Sequence, residues 1–314
     1  MYINAMGYYV PSERVHNDYF FSLNGLSSDW IFQRTGIKTR SRVSEGENTF
    51  TMGKEAVERA IGRLPYPVNS IDLIISAGYT TQDTVGTLAH IIQRDFNIEN
   101  AASLMISSAC SSCVNAIEIV EGYFATNKAE RALIICSENN SYYNDDSDPK
   151  SGHLWGDAAV AFFISKEAFS ENDPEILSVI TRGLGHIGKG PEGVYLSPRQ
   201  GNIEMTNGKD IFINATRFMV DAINSAIKKV NVQLNELDYI IAHQANMRIV
   251  SNVLHHLDFP EDKSLNNIHK YGNTGSASAF LVMMENEDKF QKGNLVGITV
   301  FGGGYSSGAT LIKF

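Results

Sequence analysis

The chain has 314 residues, of which 43% are hydrophobic and 19% are charged. This balance is typical of a globular protein with a buried core, and it excludes an intrinsically disordered chain. The 26 Lys and Arg residues stand against 35 Asp and Glu residues, a formal net charge of −9. That charge argues against a general nucleic-acid binder, because the long-range field repels phosphate.

The sequence contains no apolar run of about 18 residues that could cross a membrane. It begins Met-Tyr-Ile-Asn, without the basic segment and apolar stretch of a secretory signal. Its three cysteines are too few for a disulfide framework. We therefore expect a soluble, cytoplasmic protein that does not insert into membranes.

Two pairs of segments repeat along the chain. Residues 55–75 (EAVERAIGRLPYPVNSIDLII) resemble residues 221–241 (DAINSAIKKVNVQLNELDYII), 166 positions later. Each copy has apolar residues at helical spacing, a turn and a short β-branched run, a pattern that predicts a helix followed by a buried strand. Residues 107–116 (SSACSSCVNA) resemble residues 270–279 (KYGNTGSASA), 163 positions later, and both lead into a helical pattern. Repetition in the same order predicts two α/β halves with largely parallel sheets, related by a pseudo-twofold axis.

Cys110 lies in the first of these small-residue turns, between an apolar strand and a predicted helix. The free N–H groups at a helix N-terminus favour a thiolate, which could attack a carbonyl carbon. A buried structural cysteine is the simpler interpretation, and Cys110-x-x-Cys113 also matches a redox dithiol. The sequence has no second Cys-x-x-Cys pair that could supply the remaining ligands of a zinc site. Cys136 lies within an apolar strand and is expected to be part of the hydrophobic core.

His243 directly follows the predicted strand 239–242, and Asn273 occupies the turn that matches the one at Cys110. Chemistry gathers at the carboxyl ends of strands in open α/β sheets, and an Asn amide can donate to a thioester oxygen. A core histidine and a helix-capping Asn are the structural alternatives. The glycines at 302–304 permit a close approach of the backbone to a ligand.

Six motifs together resemble the β-ketoacyl-acyl-carrier-protein (ACP) synthase III family of condensing enzymes. They are DWIFQRTGIKTR (29–40), SAC (108–110), WGDA (155–158), HQANMR (243–248), YGNTG (271–275) and FGGGY (301–305). The resemblance runs essentially end to end. It implies an α/β, thiolase-like fold of duplicated halves in a layered α-β-α-β-α arrangement. Residues 1–168 would form the half with the nucleophilic Cys, and residues 169–314 the half with the His and the Asn.

The resemblance implies an acyltransferase of fatty-acid biosynthesis. Cys110 would take the acyl group of an acyl-CoA, while His243 and Asn273 would stabilise the enolate formed when a malonyl-ACP loses CO₂. Attack of that carbanion on the acyl-cysteine gives a 3-oxoacyl-ACP. The backbone N–H groups of Cys110 and Gly303 would form the oxyanion hole. This chemistry needs no metal and no redox cofactor, and the family implies a homodimer.

The resemblance also indicates a binding site for the anionic substrate. Residues 34–42 carry four positive charges and no acid, close to Trp30. Family members stack a Trp at this position on the CoA adenine and direct the nearby Arg at its phosphates, which points to Trp30 and Arg34. Lys150 would cover the second side of the adenine, and Arg248 would contact the pantetheine phosphate or the carrier protein.

The sequence departs from the family pattern at four positions. Ser112 stands where Gly is common, and Cys113 where an aromatic residue is frequent. Ile213 aligns with a basic residue used for carrier docking. Val85 replaces a bulky Phe that the dimer partner often inserts into the acyl pocket, and the smaller side chain predicts a longer or branched acyl chain.

These departures leave other interpretations open. One alternative is a related ketosynthase of secondary metabolism, for example of the dialkylresorcinol type, which condenses β-keto or longer acyl thioesters. Another is a catalytically silent subunit of a heterodimer, against which the intact Cys110, His243 and Asn273 argue. A dithiol oxidoreductase is the third.

Overall fold

The computed structural model describes residues 1–197 and 201–314, which form thirteen strands and nine α-helices. The strands are β1 Tyr2–Tyr9, β2 Glu13–His16, β3 Thr39–Arg42, β4 Leu73–Ala77, β5 Ala102–Ile106, β6 Arg131–Glu138, β7 Ala158–Ser165, β8 Glu175–Gly183, β9 Val194–Leu196, β10 Ile203–Met205, β11 Tyr239–Ala242, β12 Leu295–Gly302 and β13 Ser306–Lys313. The helices are α1 Phe21–Asn24, α2 Ser28–Thr35, α3 Thr49–Ile61, α4 Leu88–Asp95, α5 Ser112–Ala125, α6 Gly208–Lys229, α7 Met247–Leu257, α8 Ile268–Tyr271 and α9 Ser278–Glu285.

Nine of the strands are hydrogen-bonded in the order β5-β4-β6-β7-β1-β8-β13-β12-β11. The first five come from residues before 168 and the last four from residues after it. The order β4-β6-β7-β1 is repeated as β11-β12-β13-β8, with the same strand directions. A single residue pair, Tyr2 with Glu175, joins the two sets. The strand order therefore contains the duplication that the sequence repeats predicted.

The prediction of largely parallel sheets is wrong. Among the described strands, only β4 with β5, β4 with β6, and β11 with β12 pair in parallel. The other ladders of the large sheet are antiparallel. A parallel pair needs a crossover connection, usually a helix. The chain instead passes from β6 to β7 and from β12 to β13 without an intervening α-helix, and each second strand therefore runs back beside the first.

Helices α5 and α9 lie together in the middle of the molecule. They share one hydrophobic core with residues from strands of both sets. Every residue of α9 from Ser278 to Met284 is buried, as expected for a helix that is apolar on all sides. Helices α3 and α4 cover the outer face of the first set, whereas α6 and α7 cover that of the second. The layers are therefore α-β-α-β-α.

The predicted boundary at residue 168 falls between β7 and β8, and the division into two domains stays a prediction. Across residues 1–197 and 201–314, no helix combines the length and the apolar character needed to span a bilayer.

Replacement of Phe280 by Ala should destabilise the protein strongly. The ring is fully buried in the central layer and stacks on Phe162, with 5.2 Å between the ring centroids. A cavity at this place should lower the free energy of unfolding by about 3–5 kcal/mol, as measured by urea denaturation. The matched control is Phe21→Ala, since that side chain is 64% exposed and its loss should cost under about 0.5 kcal/mol. Equal losses in the two variants would contradict the layered core.

Candidate active site

Cys110 lies in a tight turn between the end of β5 and the start of α5. The preceding Ala109 has a φ of +51°, a left-handed conformation that is uncommon for a residue with a Cβ. Ser112, which replaces the Gly common in the family, holds this turn: its Oγ accepts from the Ser108 N–H at 2.8 Å and donates to the Ala109 carbonyl at 2.6 Å. This departure therefore supports the geometry of the turn.

Asn273 lies in the equivalent turn before α9. Its N–H donates to the Leu154 carbonyl at 2.8 Å, and its own carbonyl accepts from the Gly156 N–H at 3.0 Å. A Cβ at Gly156 would come within 1.8 Å of the Tyr271 carbonyl oxygen, so only glycine fits between the two segments. The Asn273 Oδ1 accepts from the Gly275 N–H at 3.0 Å. The Nδ2 group is therefore the part of the amide left to donate to a ligand.

The structure brings Cys110, His243, Asn273 and Gly303 to one cavity. His243 follows β11, and its N–H donates to the Thr299 carbonyl at 2.8 Å. The remaining lining is mostly apolar and comprises Trp155, Val194, Met205, Ile211, Ala215, Met219, Ala245, Ile249 and Phe301. The backbone N–H groups of Cys110 and Gly303 both face the Cys110 sulfur. The four residues that the motifs singled out for catalysis thus meet in a largely apolar chamber.

The electrostatics of the thiol differ from the expectation. Burial and, second, the nearby Glu138 carboxylate together raise the pKa of Cys110 to about 12, against the lowering effect of the Tyr79 hydroxyl and two backbone N–H groups. In the free cavity, loss of hydration therefore raises the pKa of the thiol by more than the helix N-terminus lowers it. Burial also lowers the pKa of His243 to about 4. At neutral pH the imidazole is uncharged, with one ring N–H to donate.

A second cavity of about 450 Å³ connects the surface to this chamber. Trp30, Arg34, Lys150 and Arg248 all line it, as does Lys209. Four residues line both cavities, namely Met205, Ile211, Ala245 and Ile249. The Arg34 guanidinium lies 5.2 Å from the centre of the Trp30 ring. The four residues predicted to bind CoA therefore share one entrance, with an additional cation, Lys209, that no motif indicated.

The basic segment 34–42 does not act as one patch. Arg40 is fully buried and donates to the Val15 and His153 carbonyls. Arg42 pairs with Asp146 at 2.9 Å. Only Arg34 of the four cations lines the entrance, because β3 directs the side chains of Arg40 and Arg42 into the protein. Residues 34–42 were predicted to form a local basic patch for the anionic substrate, and of their four cations only one contributes to the entrance.

Two other predicted residues lie outside both cavities. Val85 is 84% exposed in a surface turn, where the Asp83 Oδ1 accepts from its N–H at 2.7 Å. Ile213 is 53% exposed on α6 and lines a separate surface groove. Neither side chain contacts the chamber from within the same chain.

Cys113 points away from Cys110. It is buried in the central core beside Cys136, because α5 carries it one turn onward, onto the face that packs against β6. The dithiol interpretation therefore finds no support. No group of three or more His, Cys, Asp or Glu side chains within the described part of the chain could hold a metal ion.

Sequence reasoning missed a buried polar network beside the chamber. The fully buried Glu138, the last residue of β6, accepts from the Thr80 N–H at 3.0 Å and from the hydroxyl groups of Thr80 and Ser276. The Tyr79 hydroxyl donates to the Asn140 Oδ1 at 2.7 Å. The available signal was an acidic residue at the end of a mostly apolar strand, where an unpaired charge is costly.

Comparisons with known proteins agree with this geometry. Residues 105–185 match the family model of 3-oxoacyl-[acyl-carrier-protein (ACP)] synthase III, and residues 227–314 match the model of its C-terminal part. The chain is 33% identical to the β-ketoacyl-ACP synthase III of Clostridium perfringens, with 98% of each sequence covered. It is 31% identical to that of Aquifex aeolicus, with 99% of each covered. The crystal structure of 3-oxoacyl-ACP synthase III from Aquifex aeolicus superimposes with a TM-score of 0.92, covering 100% of this chain and 99% of the other.

The fold and the site define a thiolase-type condensing enzyme, an acyltransferase. The chain belongs to the 3-oxoacyl-ACP synthase III family. The family and the fold class predicted from the six motifs are confirmed.

Replacement of Glu138 by Gln should remove a pH dependence of stability. Burial raises the pKa of this carboxyl from its ordinary 4.5 to about 7. Between these values the folded protein keeps a proton that the unfolded chain loses, so the stability contributed by this group falls as the pH rises toward 7. The stability of Glu138→Gln relative to wild type should therefore increase from pH 5 to pH 8, by about 3 kcal/mol at most.

The measurement is the free energy of unfolding of both proteins at several pH values. Other titrating groups are common to the two proteins and cancel in the difference. A difference that stays constant from pH 5 to pH 8 would contradict the raised pKa.

Proposed function

We propose that the protein transfers an acyl group from acyl-CoA to Cys110 and condenses it with malonyl-ACP to form a 3-oxoacyl-ACP. One observation carries this proposal. Cys110, His243, Asn273 and the Gly303 backbone line a single cavity, which continues into an entrance lined by cations. A nucleophile and two separate sets of hydrogen-bond donors are what acyl transfer and enolate chemistry require.

Acyl transfer comes first in this proposal. The Cys110 sulfur attacks the thioester carbonyl of acyl-CoA, and CoA leaves with the proton of the thiol. The tetrahedral intermediate carries a negative oxygen, which the N–H groups of Cys110 and Gly303 stabilise. Both groups face the sulfur in the free protein, so a carbonyl bonded to that sulfur would lie within their reach.

Condensation follows at the same sulfur. Malonyl-ACP loses CO₂, and the enolate oxygen accepts hydrogen bonds from the His243 ring and the Asn273 Nδ2. Because burial lowers the pKa of His243 to about 4, the ring remains a neutral donor. The carbanion then forms a C–C bond with the acyl carbon, and the C–S bond to Cys110 breaks. No metal or redox cofactor takes part in these steps.

The entrance suits a substrate with an aromatic base and phosphates. The Trp30 ring can stack on adenine, while Arg34, Lys150, Lys209 and Arg248 supply positive charge around it. The chemistry of a CoA thioester therefore matches the residues present. The ACP would present its phosphopantetheine arm through the same opening.

A homodimer in the cytoplasm completes the proposal. The side chain of Val85 is too exposed to shape its own chamber. It could limit the acyl chain only in a partner subunit, which agrees with the dimers implied by the family. The small size of Val favours a longer or branched acyl group.

The alternative of a secondary-metabolism ketosynthase is not favoured. Relatives at 30–33% identity carry the name β-ketoacyl-ACP synthase III. The priming β-ketosynthase of a polyketide pathway is 23% identical and shows only the shared fold.

Single substitutions should separate the two half-reactions. Intact-protein mass spectrometry after incubation with acyl-CoA should show an acyl adduct on wild type, His243→Ala and Asn273→Ala, but none on Cys110→Ala. The His and Asn variants should lose about 10²–10³-fold in kcat for condensation, because each lacks one donor to the enolate. Cys113→Ser is the matched control and should keep both activities. An adduct that persists in Cys110→Ala would contradict the assignment of the nucleophile.

Replacement of Trp30 by Ala should weaken the binding of acyl-CoA. Loss of stacking should raise KM for acyl-CoA about tenfold, while KM for the same acyl group on pantetheine should not change. The matched control is Phe32→Ala, a change on the same helix at a side chain that is 45% exposed and outside the entrance. Equal effects on both acyl donors would contradict an adenine site at Trp30.

A further inference from the structure

A three-residue loop between β12 and β13 carries Gly303, whose backbone N–H is one donor of the proposed oxyanion hole. Gly302 is the last residue of β12 and pairs with Ser306, the first residue of β13, in an antiparallel ladder. The residues between them, 303–305, form what we call the oxyanion loop. Gly303 lines the chamber together with Cys110. The conformation of this short loop therefore decides where the Gly303 N–H points.

The two residues that flank the oxyanion loop are held against the turn of the nucleophile. A Cβ on Gly302 would come within 2.3 Å of the Ser108 carbonyl oxygen, so the two backbones are in close contact. The Ser306 Oγ donates to the same carbonyl at 3.1 Å. The hydroxyl groups of Ser111 and Ser306 lie 2.5 Å apart. These contacts fix the ends of the loop, but they do not reach the residues inside it.

The backbone inside the loop is strained at Tyr305. This residue has a φ of +63°, and Gly304 before it has a φ of +75°. Glycine is the usual residue at a left-handed position of a three-residue hairpin loop, and a bulky side chain there is rare. Such a conformation persists only where the surrounding structure imposes it. Contacts of the Tyr305 side chain must therefore contribute to the shape of the loop.

Tyr305 is held by its backbone, its ring and its hydroxyl. Its carbonyl accepts from the Leu184 N–H at 2.9 Å. The buried ring packs on Phe301, with 5.1 Å between the ring centroids. Its hydroxyl donates to the Asp210 Oδ2 at 2.6 Å. A Cβ on Gly193 would come within 2.8 Å of the phenol oxygen, so a residue with a side chain at this position would displace the phenol.

The acceptor of this hydrogen bond is itself fixed in place. Asp210 lies in the first turn of α6, and its N–H donates to the Asn207 Oδ1 at 3.1 Å. The Asp210 Oδ2 also accepts from the Lys189 N–H at 2.9 Å. A hydrogen bond to a carboxylate is stronger than one between neutral groups. The bond from Tyr305 to Asp210 therefore anchors the strained end of the oxyanion loop to the start of a long helix.

We propose that Tyr305 is a positioning residue, whose hydrogen bond to Asp210 holds the oxyanion loop so that the Gly303 N–H points at the oxygen of the tetrahedral intermediate. This inference rests on the proposed acyl transfer to Cys110. Gly303 contacts the reacting oxygen in this proposal, whereas Tyr305 acts through the backbone that joins the two residues. The strain at Tyr305 is thus the consequence of placing a backbone donor beside the nucleophile.

The test compares two reactions of the Cys110 thiol that need neither CoA nor ACP. In acylation by p-nitrophenyl acetate, the S–C bond forms through a tetrahedral oxyanion, the C–O bond to p-nitrophenolate breaks, and the thiol proton passes to water. Alkylation by iodoacetamide forms an S–C bond and releases iodide and a proton, without an oxyanion. Mass spectrometry of the Cys110 peptide gives the rate of each reaction in wild type and in Tyr305→Phe.

Tyr305→Phe should be acylated about tenfold more slowly than wild type, because an oxyanion donor that is displaced loses much of its effect. Alkylation by iodoacetamide should proceed at the wild-type rate. A general disturbance of the turn at Cys110 would slow both reactions equally, and that result would overturn the proposal. An unchanged rate of acylation would also overturn it.

The matched control is Tyr195→Phe, since that hydroxyl also donates to a carboxylate, the Glu204 Oε2 at 2.7 Å, but from β9 to β10. This control should match wild type in both reactions. A tenfold slower acylation of Tyr195→Phe would show that loss of any such bond has this effect, and would contradict a specific role of Tyr305.

Variants of Asp210 test the same bond from its other end, and they also serve if Tyr305→Phe does not fold. Asp210→Ala should slow acylation as much as Tyr305→Phe, and the double variant should be no slower than either, because both changes remove one interaction. Asp210→Asn keeps an oxygen that can accept from the phenol and should be acylated at close to the wild-type rate. Additive losses in the double variant would contradict the proposal.

Failure of the proposed function gives a different result. With acyl-CoA, the rate of formation of the Cys110 adduct should fall in Tyr305→Phe, while KM for acyl-CoA stays unchanged. A wild-type protein that forms this adduct but no 3-oxoacyl-ACP would contradict the proposed function, and the ratio of the two thiol reactions would still support the role of Tyr305. A wild-type thiol that p-nitrophenyl acetate does not acylate would contradict the oxyanion hole and the role of Tyr305 together.

Discussion

The hydrophobic core that α5 and α9 share between the strands of the two halves is the constraint on which the site depends. Both helices are buried in one hydrophobic core, and their N-terminal turns carry Cys110 and Asn273. Because each turn is locked by its own hydrogen bonds, the two side chains enter the chamber from equivalent positions. His243 joins them from the end of β11. The duplication thus explains why one cavity holds groups from both halves of the chain.

A second interaction joins the loop after β4 to the turn of Asn273. The buried Glu138 carboxylate accepts hydrogen bonds from Thr80, near the end of β4, and from Ser276, next to the Asn273 turn. A buried carboxylate costs free energy unless its hydrogen-bond donors are all present. Burial raises the pKa of Glu138 to about 7. Its charge also raises the pKa of Cys110. The Glu138 network that aligns the site therefore opposes ionisation of Cys110. The Tyr79 hydroxyl and two backbone N–H groups act in the opposite direction and lower the pKa of the thiol.

Much of the fold and of the site could be predicted because the informative signals are local. The repeats at 55–75 and 221–241 predicted equivalent helix–strand units, and these are found in α3 with β4 and in α6 with β11. The motifs at Cys110, His243 and Asn273 predicted a common site because each follows or precedes a regular element. The strand directions were predicted wrongly, since the connection from β6 to β7 has no periodic pattern that reveals its path. The buried Arg40 and the half-buried Arg42 were misjudged for a related reason, because a run of charges does not show which side chains point inward.

The sequence by itself determined the family, the duplicated architecture and the identity of the three side chains that meet in the chamber. Short-range spacing is sufficient for these conclusions, because turns, helix starts and strand ends are encoded by adjacent residues. Only the tertiary structure decided that Tyr79 packs against the Asn273 turn, that Glu138 connects the two halves, and that Lys209 joins the entrance. These contacts link residues far apart in the chain. Their burial and their pKa values depend on which surfaces meet and how much water the packing excludes.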